Sequence, residues 1–181
     1  MLVLRKFVST INSINAWIGD KTSYLVFGIF LLILFNVILR YLFKFPTVWA
    51  SELSEMLFAC YAVLIGGYIL HIDGHVNVDL LYSHFSTKTK ALVNILTVIP
   101  FFAFCGVLFI YGGSMALDSV LRLETSHSAW DPPLYPIRLM IPLSALLLFL
   151  QGLAKLIVDF FVVFGIDNHE SKDNIAKEEP I

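Results

Sequence analysis

Four long stretches of this chain, residues 24–43, 52–70, 91–117 and 139–164, are almost wholly apolar, and their charges fall near the ends. A bilayer core takes about 20 helical residues to cross. An unsatisfied backbone amide is so costly in hydrocarbon that only helices and closed barrels span it. The runs are continuous and do not alternate with period two, so they are helices. Composition agrees: 58% of residues are hydrophobic and 14% charged, against roughly 45–50% and ~25% in soluble domains. The reading is an all-α integral membrane protein with four tilted transmembrane helices. Tilt enters through length, since residues 91–117 carry no charge and extend about 40 Å at ~1.5 Å per residue. A core of about 30 Å makes such a helix lean or project.

Residues 1–22 read differently. Val3, Leu4, Phe7, Val8, Ile11, Ile14 and Ile18 recur at three- and four-residue spacing, while Ser9, Asn12, Ser13 and Asn15 fall elsewhere, and Trp17 suits an interface. The pattern predicts an amphipathic helix lying along the membrane surface. No unbroken apolar core or small-residue cleavage site follows Arg5-Lys6, so the segment is read as retained. A helix packed against the bundle is the competing account of the same spacing. Residues 166–181 are polar, mixed in charge and poor in large apolar groups, which predicts a disordered cytoplasmic tail. Residues 23–165 between them form the transmembrane domain.

Lys and Arg set the orientation. Of the 12, Arg5, Lys6, Lys21, Lys88, Lys90, Lys155, Lys172 and Lys177 share one side of a four-span arrangement. Arg40, Lys44, Arg122 and Arg138 share the other. The excess places both termini inside. Lys155 lies close enough to the inner end of the fourth helix to snorkel to the interface.

The second span is marked at both ends. It opens with Trp49-Ala-Ser-Glu52-Leu-Ser-Glu55 and closes with Gly74-His75-Val-Asn-Val-Asp79. Arg40 closes the first helix just before it, so a pair between Arg40 and Glu52 or Glu55 is expected across the short hairpin. Three-residue spacing sets the two carboxylates on one helix face. An ion pair at the rim, a contact with another subunit, and a proton or cation site are all open to them. The last would call for a carboxylate deeper in the bilayer. His71 and His75 have ligand-compatible spacing, but Gly74 stands between them and no second ligand cluster completes a zinc set. His84, His127 and His169 fall in loops or the tail, where no pair faces across the bundle to hold a haem. Local bonding at a helix end is the simpler role for His75 and Asp79. Cys60 and Cys105 have no Cys-x-x-Cys partner and read as packing residues.

The loop between the third and fourth spans carries Ser126-His127-Ser128-Ala129-Trp130-Asp131-Pro132-Pro133. It is aromatic and stiffened by proline, which fits either a docking surface or an interfacial belt. A net charge of −2 without a basic patch excludes nucleic acid. No nucleophile–base–orienter set or phosphate-binding glycine loop is present, so no enzyme, metal or cofactor is expected.

Arg40-Tyr41, Trp49-Ala-Ser-Glu52-Leu, Gly66-Gly67 and Gly74-His75-Val-Asn-Val-Asp79-Leu stand in an order that resembles the DctQ-type small membrane subunit of tripartite ATP-independent periplasmic (TRAP) transporters. Pro133-Leu-Tyr-Pro-Ile-Arg-Leu-Met-Ile-Pro142-Leu resembles that family's proline-bounded entry to the fourth helix. The likeness covers roughly residues 24–163, and Glu55 departs from it, standing where a less acidic residue is expected. It implies a scaffold subunit of the bacterial inner membrane that braces a large elevator-type subunit for sodium-driven uptake of an organic acid. A periplasmic solute-binding protein delivers the solute. Arg40, Trp49, Glu52, Glu55, His75, Asp79, Trp130, Pro133 and Pro142 then take structural or subunit-interface roles, with lipid around them. Two other classes share the four-helix plan: a haem-binding membrane anchor of a redox enzyme, and a self-sufficient small dimeric exporter.

Overall fold

The computed structural model describes residues 2–72 and 87–163, which form four α-helices: α1 (Leu2–Leu42), α2 (Val48–His71), α3 (Thr87–Leu121) and α4 (Tyr135–Val163). Each is long and apolar enough to cross a membrane, and the chain is a multi-pass, all-α membrane protein. Among the described residues the extended structure is limited to one isolated bridge, Thr125 to Pro133. The expected tail, residues 166–181, lies outside the described residues, as do Gly74, His75, Asp79 and His84.

α1 is one helix of 41 residues, about 60 Å long. The boundary expected near residue 22 is therefore not a break in the backbone. No proline stands between Ile18 and Leu25, and Gly19 is the kind of single glycine a helix interior tolerates. Ile11, Asn15, Thr22 and Ile29 are buried along one side. The first half of α1 thus has a protein-facing stripe of its own, continuous with that of the span.

The helix ends explain where the chain turns. α1 stops before Lys44, which takes the left-handed conformation at φ 52°, and Pro46 prevents its resumption. α3 closes in a Schellman turn. The Glu124 amide donates to the Ser119 carbonyl at 3.0 Å, the Leu123 amide donates to Val120 at 3.2 Å, and Leu123 holds φ 47°. Pro136 stands in the first turn of α4, where its missing N–H costs nothing.

α4 is the element that touches the other three; its contact with α3 is the most extensive, followed by that of α1 with α2. Small residues make this possible. Ala50, Ala116, Ala145 and Ala154 are at most 1% exposed, letting helix backbones approach closely. At Gly152 a Cβ would run into the ring of Phe101, so this glycine sets the spacing of α3 and α4. Phe102 stacks edge-on against Phe149 beside it, with ring centroids 4.8 Å apart. Large side chains point outward instead, Phe27, Leu96 and Ile110 among them. Lipid tails are as apolar as leucine, so the inside-out distribution carries no penalty there.

Candidate functional site

One set of polar groups collects at the end where α1 turns into α2. Asn36, the lone amide in the apolar half of α1, donates from Nδ2 to Ser51 Oγ at 2.7 Å and accepts from the Thr47 hydroxyl at 3.0 Å. One α1 side chain thereby fixes the first turn of α2.

Opposite it, residues 122–134 fold into a narrow hairpin. The Ser126 amide donates to the Pro132 carbonyl at 3.0 Å, and the Leu134 amide donates to Glu124 at 2.9 Å. At its tip the Ser128 hydroxyl accepts from the Trp130 and Asp131 amides at 3.2 and 3.0 Å and from the Ser126 hydroxyl at 2.8 Å. Its own proton goes to Glu52 Oε2 at 2.7 Å. Asp131 accepts from the Thr125 hydroxyl and from the His127 amide, and these bonds together with the nearby imidazole hold its carboxyl below the usual range. His127 and Asp131 are both left-handed, at φ 53°. The second fastening is a two-pronged fork from Arg138 of α4 to Glu124, with nitrogen–oxygen distances of 2.5 and 2.6 Å. Such fork-to-fork geometry is the strong form of an ion pair.

The expected site residues distribute over this frame. Glu52 is half-buried beneath the hairpin and takes Ser128 as its partner, while Glu55, one turn on, is exposed. Arg40 occupies the last turn of α1, exposed, and among the described residues it pairs with neither carboxylate. Trp49 leans on Phe35, centroids 5.9 Å apart, and ties the two helices of the first hairpin. Trp130 and Pro133 belong to the loop, Trp130 by its amide bond to Ser128 and Pro133 by the bridge to Thr125. Pro142 is half-buried inside α4. The structure thus joins Glu52 to the hairpin that holds Trp130 and Pro133, while Arg40 and Glu55, at the same end, make no bond to it among the described residues. His75 and Asp79 lie outside the described residues. His71 ends α2, half-buried, and among the described residues no three His, Cys, Asp or Glu side chains meet in a metal-holding group.

Between the hairpin and the ends of α3 and α4 opens a cavity of about 650 Å³. Tyr111, Ser114, Met115 and Asp118 line it from one face of α3, Arg122, residues 123–125 and His127 continue it, and Arg138 closes it from α4.

A second polar cluster is buried toward the other end. Asn15 of α1 donates from Nδ2 to Gln151 Oε1 of α4 at 2.8 Å, and Gln151 returns a bond from Nε2 to Asn12 Oδ1 at 2.9 Å. Asn15 is 1% exposed and Gln151 3%. The Asn15 Oδ1 lies against the backbone of Gly67 in α2, where any Cβ would collide with it, and has no hydrogen-bond partner. Three helices therefore meet through one amide pair. The sequence held a signal for this: Gln151 is the one amide in the apolar run of α4, and a lone amide among apolar residues in a membrane helix faces another helix. The pair was missed because the polar stripe of residues 1–22 is read toward water. For a helix bordered by lipid the stripe turns inward. Glu124 and Ser128 were missed for want of any periodicity in a loop.

A family model described as tripartite ATP-independent periplasmic transporters, DctQ component, matches residues 29–162, well over half of the chain. The chain is also similar to the sialic acid TRAP transporter permease protein SiaT of Haemophilus influenzae (strain 86-028NP), 27% identical over 103 residues. That match covers 57% of this chain and 16% of the relative, so the chain spans a small part of the relative's length.

Proposed function

Because the chain belongs to the DctQ component family of tripartite ATP-independent periplasmic transporters, we propose that it is the small scaffold subunit of such a transporter in a bacterial inner membrane. In this reading it braces a large elevator-type membrane subunit that carries the solute and sodium sites, and a periplasmic binding protein brings the solute. The observation that carries the role within the family is the chemistry of the interior. Among the described residues every buried polar side chain is an uncharged amide or hydroxyl: Asn15, Thr22, Thr47, Ser54, Ser119, Ser144 and Gln151. Ion-coupled pathways are marked by ionisable groups inside the membrane. A bundle that keeps its carboxylates at the rims has the makeup of a brace.

The relative's name contains sialic acid, a carboxylic acid, which supports an organic acid as solute. The hairpin with Trp130 and His127 exposed is the surface on which a docked binding protein would rest, and the outward apolar faces of the helices are those available to the large subunit. No catalytic role is assigned.

The test is to tag the chain, extract it gently from its native membrane, identify what accompanies it by mass spectrometry, and record a visible spectrum. Expected are one large polytopic subunit and no colour, and in proteoliposomes uptake that requires both membrane chains, the binding protein and a sodium gradient. A chain that transports alone, or that leaves the membrane with a haem band and a redox partner, would overturn the proposal.

A further inference from the structure

We propose that the cavity between the hairpin and the ends of α3 and α4 binds the headgroup of a zwitterionic phospholipid with a primary amine. The inference goes beyond the transporter reading and needs only that the helices cross a membrane.

Asp118, Arg122, Glu124, His127 and Arg138 all line the cavity, and the His127 imidazole stands near the Asp131 carboxylate. Glu124 and Arg138 consume each other in their fork. Asp118 and Arg122 remain, one helical turn apart, and among the described residues neither side chain has a hydrogen-bond or ion-pair partner. A carboxylate and a guanidinium at this spacing ordinarily pair on a helix surface. Here each is free to meet a ligand group of opposite sign.

Depth supplies the second constraint. Residues 91–117 are uncharged and Asp118 is the first charge after them, so the cavity straddles the membrane boundary. Tyr111 and Met115 lie on the apolar side, 71% and 49% exposed, with Asp118 and Arg122 on the aqueous side. At the mouth Leu123 is 68% exposed in a left-handed turn position that glycine usually fills. An apolar side chain held there adds greasy surface beside the charges.

A ligand that satisfies all of this is an amphiphile whose head sets an anion next to a cation. A phosphodiester accepts both prongs of the Arg122 guanidinium. An ethanolamine ammonium donates to the Asp118 carboxylate, and the acyl chains run down past Met115 and Tyr111. Choline matches the charge but has no N–H to donate. A glycerol headgroup leaves the phosphate charge unbalanced in front of Asp118.

The experiment uses the full chain with whatever membrane partner co-purifies, stripped of loose lipid and offered an equimolar mixture of phosphatidylethanolamine, phosphatidylcholine and phosphatidylglycerol. Native mass spectrometry reads the ratio of bound lipids. Expected is a preference for phosphatidylethanolamine that falls roughly tenfold in Asp118→Asn, the loss of one charge-assisted bond. In Arg122→Gln, binding of all three should weaken. Free glycerophosphoethanolamine should fail to displace the lipid, since the chains contribute; displacement by it would reassign the site to a soluble ligand and overturn the lipid proposal. Equal retention of the three lipids, or a ratio unchanged in Asp118→Asn, would also overturn it. So would a Leu123→Cys variant that cross-links to a partner subunit with no lipid retained. Each ratio is measured within one folded sample, so a variant with poor yield still gives an answer. Co-purification of the large subunit is read from the same spectra, which keeps failure here separate from failure of the transporter proposal.

Discussion

A methyl group added at Gly67 has nowhere to go, because the Asn15 carbonyl oxygen fills the space a Cβ would occupy, whereas at Gly66 next to it nothing lies within 4 Å. The two glycines are indistinguishable in sequence and make a matched test. Gly67→Ala should lower the melting temperature of the solubilised chain, the overpacking costing about 1–3 kcal/mol. Gly66→Ala should leave it unchanged or slightly raised. Equal effects would show that Asn15 is not held where the structure has it. Asn15 also shows how much of the site was legible: its spacing within an amphipathic helix was plain, but the side the polar stripe faces depends on whether lipid or water borders the helix. Glu52 was legible as a marked helix entrance, but its partner was not, because Ser128 is 76 residues away with no pattern linking them. Asp131 offers a pH test. Its carboxyl is held low first by the Thr125 hydroxyl and then by the His127 amide and imidazole. A depressed folded value means the bonds contribute fully above the ordinary Asp range near ~3.9 and are lost as pH falls through the lowered one. In a chain with Trp17 and Trp49 replaced by Phe, Trp130 fluorescence should hold steady from neutral pH to the mildly acidic range and then shift. Asp131→Asn should abolish that shift, and a shift that survives it would assign the transition elsewhere.

The four spans were readable as elements because continuous apolar runs leave a membrane chain one backbone solution. Their bounds were less so. The helix expected over residues 1–22 and the span expected from residue 24 form one unbroken helix from Leu2, since amphipathic and fully apolar stretches share the same helical backbone and differ only in what surrounds them. The least legible element is the 122–134 hairpin, whose order comes from the Ser128 hydroxyl, the Glu124–Arg138 fork, the Asp131 carboxylate and two backbone bonds. It is clipped to α2 by the hydrogen bond from Ser128 to Glu52, and α2 is pinned to α1 by Asn36. Glu52→Ala removes the acceptor and leaves the Ser128 hydroxyl without its outlet, a loss of about 1 kcal/mol or more for a half-buried charged bond. Cleavage of the loop at Trp130 by chymotrypsin should then quicken roughly fivefold, following the population of the opened loop. Glu52→Gln, which keeps a carbonyl oxygen in place, should stay near wild type. In the assembled transporter Glu52→Ala should cut the yield of complex while the sodium dependence of residual uptake stays the same. A changed sodium coupling with assembly intact would move Glu52 from the scaffold into the transport chemistry.

At the scale of the whole molecule, the bond between Glu52 and Ser128 sets the α1–α2 turn and the α3–α4 hairpin at one end of the bundle. With four helices running alternately up and down, the start of α1 lies at the other end. All four cations counted as outer, Arg40, Lys44, Arg122 and Arg138, therefore share the hairpin end, as the up-and-down arrangement requires. The charge excess on the opposite end predicts that this end faces the cytoplasm, and the proposed functions of the hairpin and the cavity depend on which side they face. The orientation can be measured directly. Cys60 and Cys105, half-buried and buried within the spans, are first replaced by Ala. Single cysteines are then placed at Ala129, exposed on the hairpin, and at Ser9, exposed near the start of α1. In intact spheroplasts a membrane-impermeant maleimide should label the Ala129→Cys chain and spare the Ser9→Cys chain until the membrane is permeabilised. The reverse pattern would turn the bundle over. The hairpin would then face the cytoplasm, a periplasmic binding protein could not reach Trp130, and the Asp118–Arg122 cavity would open on the inner leaflet. The amide cluster that joins α1, α2 and α4 would be untouched by that reversal, because it depends on helix packing and not on which compartment either end meets.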